Sequence, residues 1–566
     1  MSKWPESGDT PGERVPAEVS EPPADAVPSE DAVTGTDAVP LTGVAVPDGV
    51  AVPDGDPVPG AIPRNGALAP IGAPDAPAEP DSGIPTTRRR RSARGAVLVG
   101  ARVVAGTIGI AIAAAAVAAA TWLPLPRHTA TAPFSVIVPI AAAQQRVCPG
   151  PLLRLGDASG QNAGTASSIG RPDIQASATS GSIEQTPLRS TDNSAGVAPE
   201  FLTLAPGETG AASPRLLAGS QSQPVRAGEV AGFAAAECAE AGGESWLVGG
   251  ATDTGRTTLI TLSNPSPVSA TVTITVYSRT GAIAAPGSDG IIVPASSQRI
   301  LSLAGFAPGI VSPVVRVQSR GGQIVANLQQ SIVRTLETGG VTFVGASSAP
   351  ATHTVIPGVV LSSVSAVTAR QPNVGYADLA TVIRLYVPGD KSAQAKISVQ
   401  PEGTANPVTP VSVALPAGLV TDVPLDEYND GSYTISIQTD AQVVAGARVS
   451  TIGASGAVDV AWFAAAPELH SVAQVTVAAG PSPALHLANP TTTDAAVTIA
   501  ASHGADTTVT VPAGSAVAVP VTAAASYTVT GFDALSMAVS YVGDGQLSGF
   551  TLSPTAPVAS PIRVYQ

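Results

Sequence analysis

The chain repeats one pattern of alternating apolar and polar residues three times. TLITLSNPSPVSATVTITVYSRTG from Thr258, TVIRLYVPGDKSAQAKISVQPEG from Thr381 and ALHLANPTTTDAAVTIAASHG from Ala484 each read as a strand, a proline turn and a second strand. The turns are Asn264-Pro265, Val387-Pro388 and Asn489-Pro490. Each unit continues with an apolar strand ending in a proline and small-residue turn, IIVPASS, VALPAG or VTVPAG. Later strands keep step: SPVVRVQ, GSYTISIQ and ASYTVTG, then QIVANLQQSIV, QVVAGARVS and LSMAVSYVG, then VTFVGASSAP, VDVAWFAAAP and SGFTLSPTAP. A period of two sends successive side chains to opposite faces, so every strand is expected to have one buried and one wet face. Six or seven such strands per spacing of about 100 to 120 residues fit β-sandwich modules of immunoglobulin-like size. The expected fold class is mainly β, with tandem immunoglobulin-like β-sandwich modules at residues 245–350, 351–467 and 468–566 behind an irregular β domain at 127–244.

What precedes these strands is of another kind. Residues 103–125, VVAGTIGIAIAAAAVAAATWLPL, carry no charge. As a helix they would span roughly 34 Å at about 1.5 Å per residue, enough for a bilayer core of roughly 30 Å. Arg88 to Arg91, Arg94 and Arg102 lie before this stretch and only Arg127 close behind it, so the positive-inside rule places the N-terminus in the cytoplasm and the strand-rich body outside. The expectation is a single-pass signal-anchor transmembrane helix at 96–126, with the protein in the cell membrane. A cleaved signal peptide is the competing reading, but the preceding segment is far longer than a charged leader region; a buried alanine-rich helix is the other. Residues 1–87 hold 3 basic and 15 acidic residues in phrases such as VAVPDGVAVPDGDPVPG, which cannot bury enough apolar surface to fold. Residues 1–95 are therefore expected to be a disordered cytoplasmic tail, a solvated spacer or a docking tail for a basic partner.

Candidates for chemistry are few. Cys148 and Cys238 both follow the apolar stretch, and outside the membrane an oxidised pair is expected, two separate buried thiols being the alternative. His128, His353, His470, His486 and His503 are scattered without metal-ligand spacing. No G-x-S-x-G elbow occurs, and Asp426-Glu427 is the only tight acidic pair in the body, at the start of a hairpin turn that lacks the last ligand of a calcium loop. Trp246, Trp462 and Phe550 fall near related strand positions and are expected in the core, with a carbohydrate-stacking platform as the alternative. The formal charge of −14 includes no basic face, which argues against nucleic acid. No catalytic, cofactor or metal residue is assigned and no cofactor is implied.

The signal anchor after a tail, CPG at Cys148, the Trp-x-x-Gly-Gly stretch at Trp246 and the Asn-Pro strand turns resemble an uncharacterised family of anchored or secreted proteins from high-GC Gram-positive bacteria, a domain of unknown function. The resemblance covers about residues 129–566. It implies an extracytoplasmic location and no established activity. The functional expectation is a non-enzymatic structural or binding module of the cell envelope whose partner is a cell-wall polymer or an envelope protein. An enzyme or accessory factor in envelope polysaccharide assembly, with its site in 129–244, is the alternative, and an adhesin a third reading. Oligomeric state is not legible.

Overall fold

The structure, a computed structural model, describes residues 104–116, 134–137, 143–156, 165–190, 192–193, 196–207, 215–404, 408–425, 427–554 and 562–565. The chain divides into two units, Met1–Pro126 and Arg127–Gln566. In the first, a helix runs over 104–116, inside the expected apolar span, with Val104, Ile108, Ile110 and Ile112 exposed. No helix among the described residues is long and apolar enough to cross a membrane; the rest of the span and the acidic tail lie outside the described residues.

The second unit is mainly β, in several sheets. Its logic is clearest in 351–467. Ala351–Leu361, the first half of Gly431–Ile452, Ala393–Pro401 and Val411–Leu415 lie side by side in one sheet, here the flank sheet. Val458–Ala464, the second half of Gly431–Ile452, Val382–Tyr386 and Val420–Pro424 form the other, the axial sheet. Ile397 and Ile435 from the flank sheet and Ile383, Leu385 and Phe463 from the axial sheet share one core. Numbering the strands one to eight, the orders are 1-6-3-4 and 8-7-2-5. The first and second strands thus sit in opposite sheets, whereas an immunoglobulin domain keeps them in one.

The same two orders recur in the other repeats. In 468–566 one long strand, Ala525–Gly543, again serves both sheets. In 245–350 it is split into Val314–Gly321 and Val325–Arg334. Asn264 and Asn489 close equivalent turns in the same way: each Oδ1 accepts from the amide two residues on, at 3.0 Å, and each Nδ2 donates to backbone carbonyls, the Asx geometry that makes Asn a turn residue. Residues 127–244, expected to be irregular, also carry the plan. Gln144–Val147, Glu200–Leu204 and Ile183–Pro187 make the flank order, and Val230–Glu237, Leu217–Ala227 and Asp173–Ala178 the axial order. This fourth copy is interrupted by the hairpin Leu152–Leu155 and Ala166–Ile169.

One expectation is corrected. Ala393–Pro401 does alternate buried and open positions, but Val382–Tyr386 and Val458–Ala464 are buried at every position. The reason is that each axial sheet presses its far face on the flank sheet of the copy before it. Tyr386, Val420 and Val444 meet Trp246, Val248 and Val314; Ala488 and Ala516 meet Val355; Val325 meets Val147, Leu188 and Phe201; and Ser177 accepts from Gln474 at 3.0 Å. Four copies so stacked return to their start. Their last strands, Val230–Glu237, Glu337–Val344, Val458–Ala464 and Gln546–Thr551, each touch the next around a common axis.

Candidate functional site

On that axis lies Asp459, 0% exposed. Its Oδ2 accepts from the amides of Phe233 at 2.8 Å and Leu547 at 3.1 Å, and its Oδ1 from Val460 at 3.0 Å and Val341 at 3.2 Å, one donor from each copy. The match is one of register: Ile260, Ile383 and Leu485 pair across to Val344, Phe463 and Phe550, and three residues before these stand Val341, Val460 and Leu547. Gly232 and Gly340, both at positive φ, make room; a Cβ at Gly232 would collide with Oδ1, and one at Gly340 would lie 2.8 Å from the Asp459 Cα. Burial pushes the carboxyl up to about 8, against the pull of the four amides.

Above Asp459 the axis opens into a funnel of 880 Å³ whose wall is made by the turns that lead into the four last strands. Arg226, Leu336, Glu337, Arg370, Asp544 and Gln546 line it. Arg370 donates to Glu337 at 2.5 Å and to the Tyr376 hydroxyl at 3.0 Å while lying 4.6 Å over the Tyr376 ring. Asp544 accepts from the Ala454 amide at 2.6 Å. Arg226 is exposed, and Leu336 stands 93% exposed at the rim. At the far ends of the same strands the chain enters and leaves the ring. There Arg146 donates to the Pro554 carbonyl at 2.6 Å, Glu237 accepts from the Ser553 amide and hydroxyl, and Phe134–Ile137 pairs with Ile562–Tyr565.

Two further pairs of buried ionisable groups hold copies together. Arg384, 0% exposed, pairs with Asp422 at 3.0 Å and donates to the carbonyls of Gly250, Pro313 and Val311 in the copy before it, with Trp462 beneath its guanidinium at 4.6 Å. Burial would raise the Asp422 carboxyl, but Arg384, Ser312 and Arg279 hold it down to about 2. At the next junction His486 Nδ1 meets Glu402 at 2.5 Å and its Nε2 meets the Ser540 hydroxyl at 2.7 Å. Burial would also raise Glu402, yet His486, Thr434 and the Gly358 amide lower it. Serine, histidine and carboxylate stand in the order of a hydrolase relay. Ser540 is 1% and His486 0% exposed, and the Glu402–His486 contact ties the second repeat to the third.

The sequence candidates are placed as follows. Cys148 and Cys238 are joined in a disulfide inside the core of the first copy. Trp246, Trp462 and Phe550 are buried, the last two on final strands and Trp246 on a first strand. Trp462 Nε1 donates to Gln330 of the copy before it at 2.7 Å, Trp246 packs against Tyr386 of the copy after it with ring centroids 5.8 Å apart, and Phe550 joins the core of the last repeat. His353, His470 and His503 are exposed and lie apart; His128 and Asp426 fall outside the described residues. Among the described residues no group of His, Cys, Asp or Glu is placed to hold a metal ion. Sequence reasoning missed Asp459 and Arg384 and took His486 only as one of five scattered histidines. Each is a lone ionisable residue inside an apolar strand, VDVAWF, VIRLY or ALHLA, and that intrusion was the available signal of a strand buried on both faces.

These features define a class: a closed ring of four paired-sheet copies with a polar funnel at one mouth of its axis. The chain belongs to the family described as "Family of unknown function (DUF5719)", whose profile matches residues 189–522. No curated protein and no solved structure matches the chain.

Proposed function

We propose that this protein is a non-enzymatic, single-pass membrane-anchored binding scaffold of the cell envelope, its body extracytoplasmic and built of tandem β-sandwich modules of immunoglobulin-like size. The funnel carries the reading: all four copies contribute to its wall, it offers Arg226, Asp544 and the open side chain of Leu336 together, and its 880 Å³ is of binding-site size. The ligand seated there is a cell-wall polymer or an envelope protein. The disulfide supports an oxidising compartment, and the arginines ahead of the apolar stretch support the orientation. The test uses intact cells producing the full chain with a tag at each end. Protease treatment should remove the C-terminal tag and spare the N-terminal one, and reduction should shift the mobility of the product on a gel. The purified full chain should then retain wall polymer or envelope protein, and Arg226→Ala should weaken retention several-fold. Protection of both tags in cells shown to be open to protease overturns the location. Hydrolysis of an envelope glycan or peptide by the same preparation overturns the non-enzymatic assignment.

A further inference from the structure

Two equivalent junctions of the ring are filled differently. In the first repeat Trp246 pairs with Arg316 and Arg316 with Thr275; in the second, Val355 pairs with Ser436 and Ser436 with Ser398. Two residues further along the third strand stand Tyr277 and Gln400, and the next copy contributes Tyr386 at one junction and Ala488 at the other. Between the first and second repeats the space is packed: Tyr277 stacks on Tyr386 with centroids 4.3 Å apart, and Arg316 lies 5.2 Å over the Trp246 ring. Between the second and third repeats valine, serine, glutamine and alanine take those four places. What the rings fill at one junction is a cleft of 310 Å³ at the other, within the range of ligand sites.

The floor of the cleft is the open face of the second repeat's flank sheet. Residues two apart on a strand point the same way, and neighbouring strands lie about 4.8 Å apart, so Ser398, across from Ser436, and Gln438, across from His353, make a polar grid. Gln438 and His353 are exposed and Ser398 and Ser436 half-buried, so the grid is open to the cleft. His353 Nε2 meets the Ser436 hydroxyl at 3.2 Å, whereas the side chains of Ser398 and Gln438 make no hydrogen bond among the described residues. Val355, Ala488 and Ala516 form an apolar strip, and the Asn489-Pro490 turn makes a wall. His353 is the only ionisable lining residue; Ala405, Asn406 and Pro407, next to the lining residue Val408 and outside the described residues, carry no charge. Lys396 lies across from Gln438 on its other side but is not part of the lining.

We infer that this cleft binds one or two units of a neutral saccharide, the sugar hydroxyls pairing with Ser398, Gln438 and Ser436 and a C–H face of the ring lying on Val355 and Ala516. Serine hydroxyls and primary amides both donate and accept, which is what a sugar hydroxyl asks of its partners, and a charged ligand would find only His353 to answer its desolvation. The cleft shares no lining residue with the funnel, so the site stands or falls independently of the scaffold reading.

The probes are maltotetraose, cellotetraose, mannotetraose and xylotetraose, with tetragalacturonate as the anionic counterpart, and binding to the full-length protein in detergent is read by saturation-transfer NMR. At least one neutral sugar should receive saturation, and tetragalacturonate less. Ser398→Ala with Gln438→Ala should weaken that sugar about tenfold or more, the worth of two hydrogen bonds, and leave the melting temperature of the unliganded protein unchanged, because neither side chain bonds to the protein. A structural role would lower that temperature instead. Gln400→Tyr, which restores the ring of the filled junction, should abolish transfer. Absence of transfer to all four neutral sugars, stronger transfer to tetragalacturonate, or undiminished transfer in both variants overturns the site.

Discussion

Asp459 and Asp422 are buried carboxylates with opposite consequences for pH. The Asp459 carboxyl sits at about 8 when folded, far above an ordinary aspartate. Between about pH 4 and pH 8 the folded state therefore keeps a proton that the unfolded state has lost. Stability from this group is full below pH 4 and falls as pH rises through 8, by at most about 1.4 kcal/mol per unit. Urea midpoints of wild type and Asp459→Asn should diverge across that window and run parallel above it; parallel curves throughout would mean the carboxyl does not hold its proton. Asp422, held down to about 2, works the other way: its contribution is present above about pH 4 and is lost on acidification toward 2. Its partner gives a sharper test. Arg384→Met leaves the Asp422 carboxylate only Ser312 and the exposed Arg279 and takes the donor from three carbonyls, so it should cost about 3 kcal/mol in urea denaturation. Adding Asp422→Leu should recover much of that loss, since an apolar pair strands no charge.

At the level of strands the sequence was largely readable, and its limits have physical causes. Alternation revealed the strands of the three repeats, and Asn264-Pro265 and Asn489-Pro490 revealed their turns, because both signals are local. The copy at 144–239 was hidden. Its flank strands are short, Gln144–Val147 and Glu200–Leu204 among them, and a hairpin inserted after the first breaks up the repeated phrase. The helix Val364–Arg370 was missed too; its residues VSAVTAR give too few turns for a helical period to show. Nothing of the funnel was legible, since its wall is assembled from four turns distant in sequence. The disulfide ties the start of the hidden copy to its end across a separation of 90 residues, a closure worth about 4 to 5 kcal/mol in the chain-entropy model. Cys148→Ser with Cys238→Ser should lower stability by that order. It should also loosen Leu202, Leu204 and Leu217, which pack around the bridge, before it loosens the third repeat, a sequence that hydrogen exchange resolves.

For the whole molecule the decisive fact is closure. In an open array each repeat meets only its neighbours, and stability is a sum of units and interfaces. Here Phe233 and Ala235 of the first copy are part of the core of the last repeat, and the Ser222 hydroxyl donates to the Ala479 carbonyl. Removing the last repeat does more than delete one unit. A chain ending at Pro467 loses the Leu547 amide from Asp459 and loses His486 from Glu402, and it uncovers Phe233 and Ala235. Two of these losses fall on the second repeat and one on the first copy, and buried groups stripped of partners cost more than their contacts returned. Full-length protein should therefore unfold from residue 143 to residue 554 in one calorimetric transition and resist protease across that span. The chain truncated after Pro467 should lose protease resistance in all three remaining copies together. If residues 245–467 survived as a resistant core, the repeats would be independent units that merely touch, and Asp459 would have no structural claim on the axis. Loss throughout would make the ring the smallest stable unit, because no copy would hold its buried charges without the copy on either side.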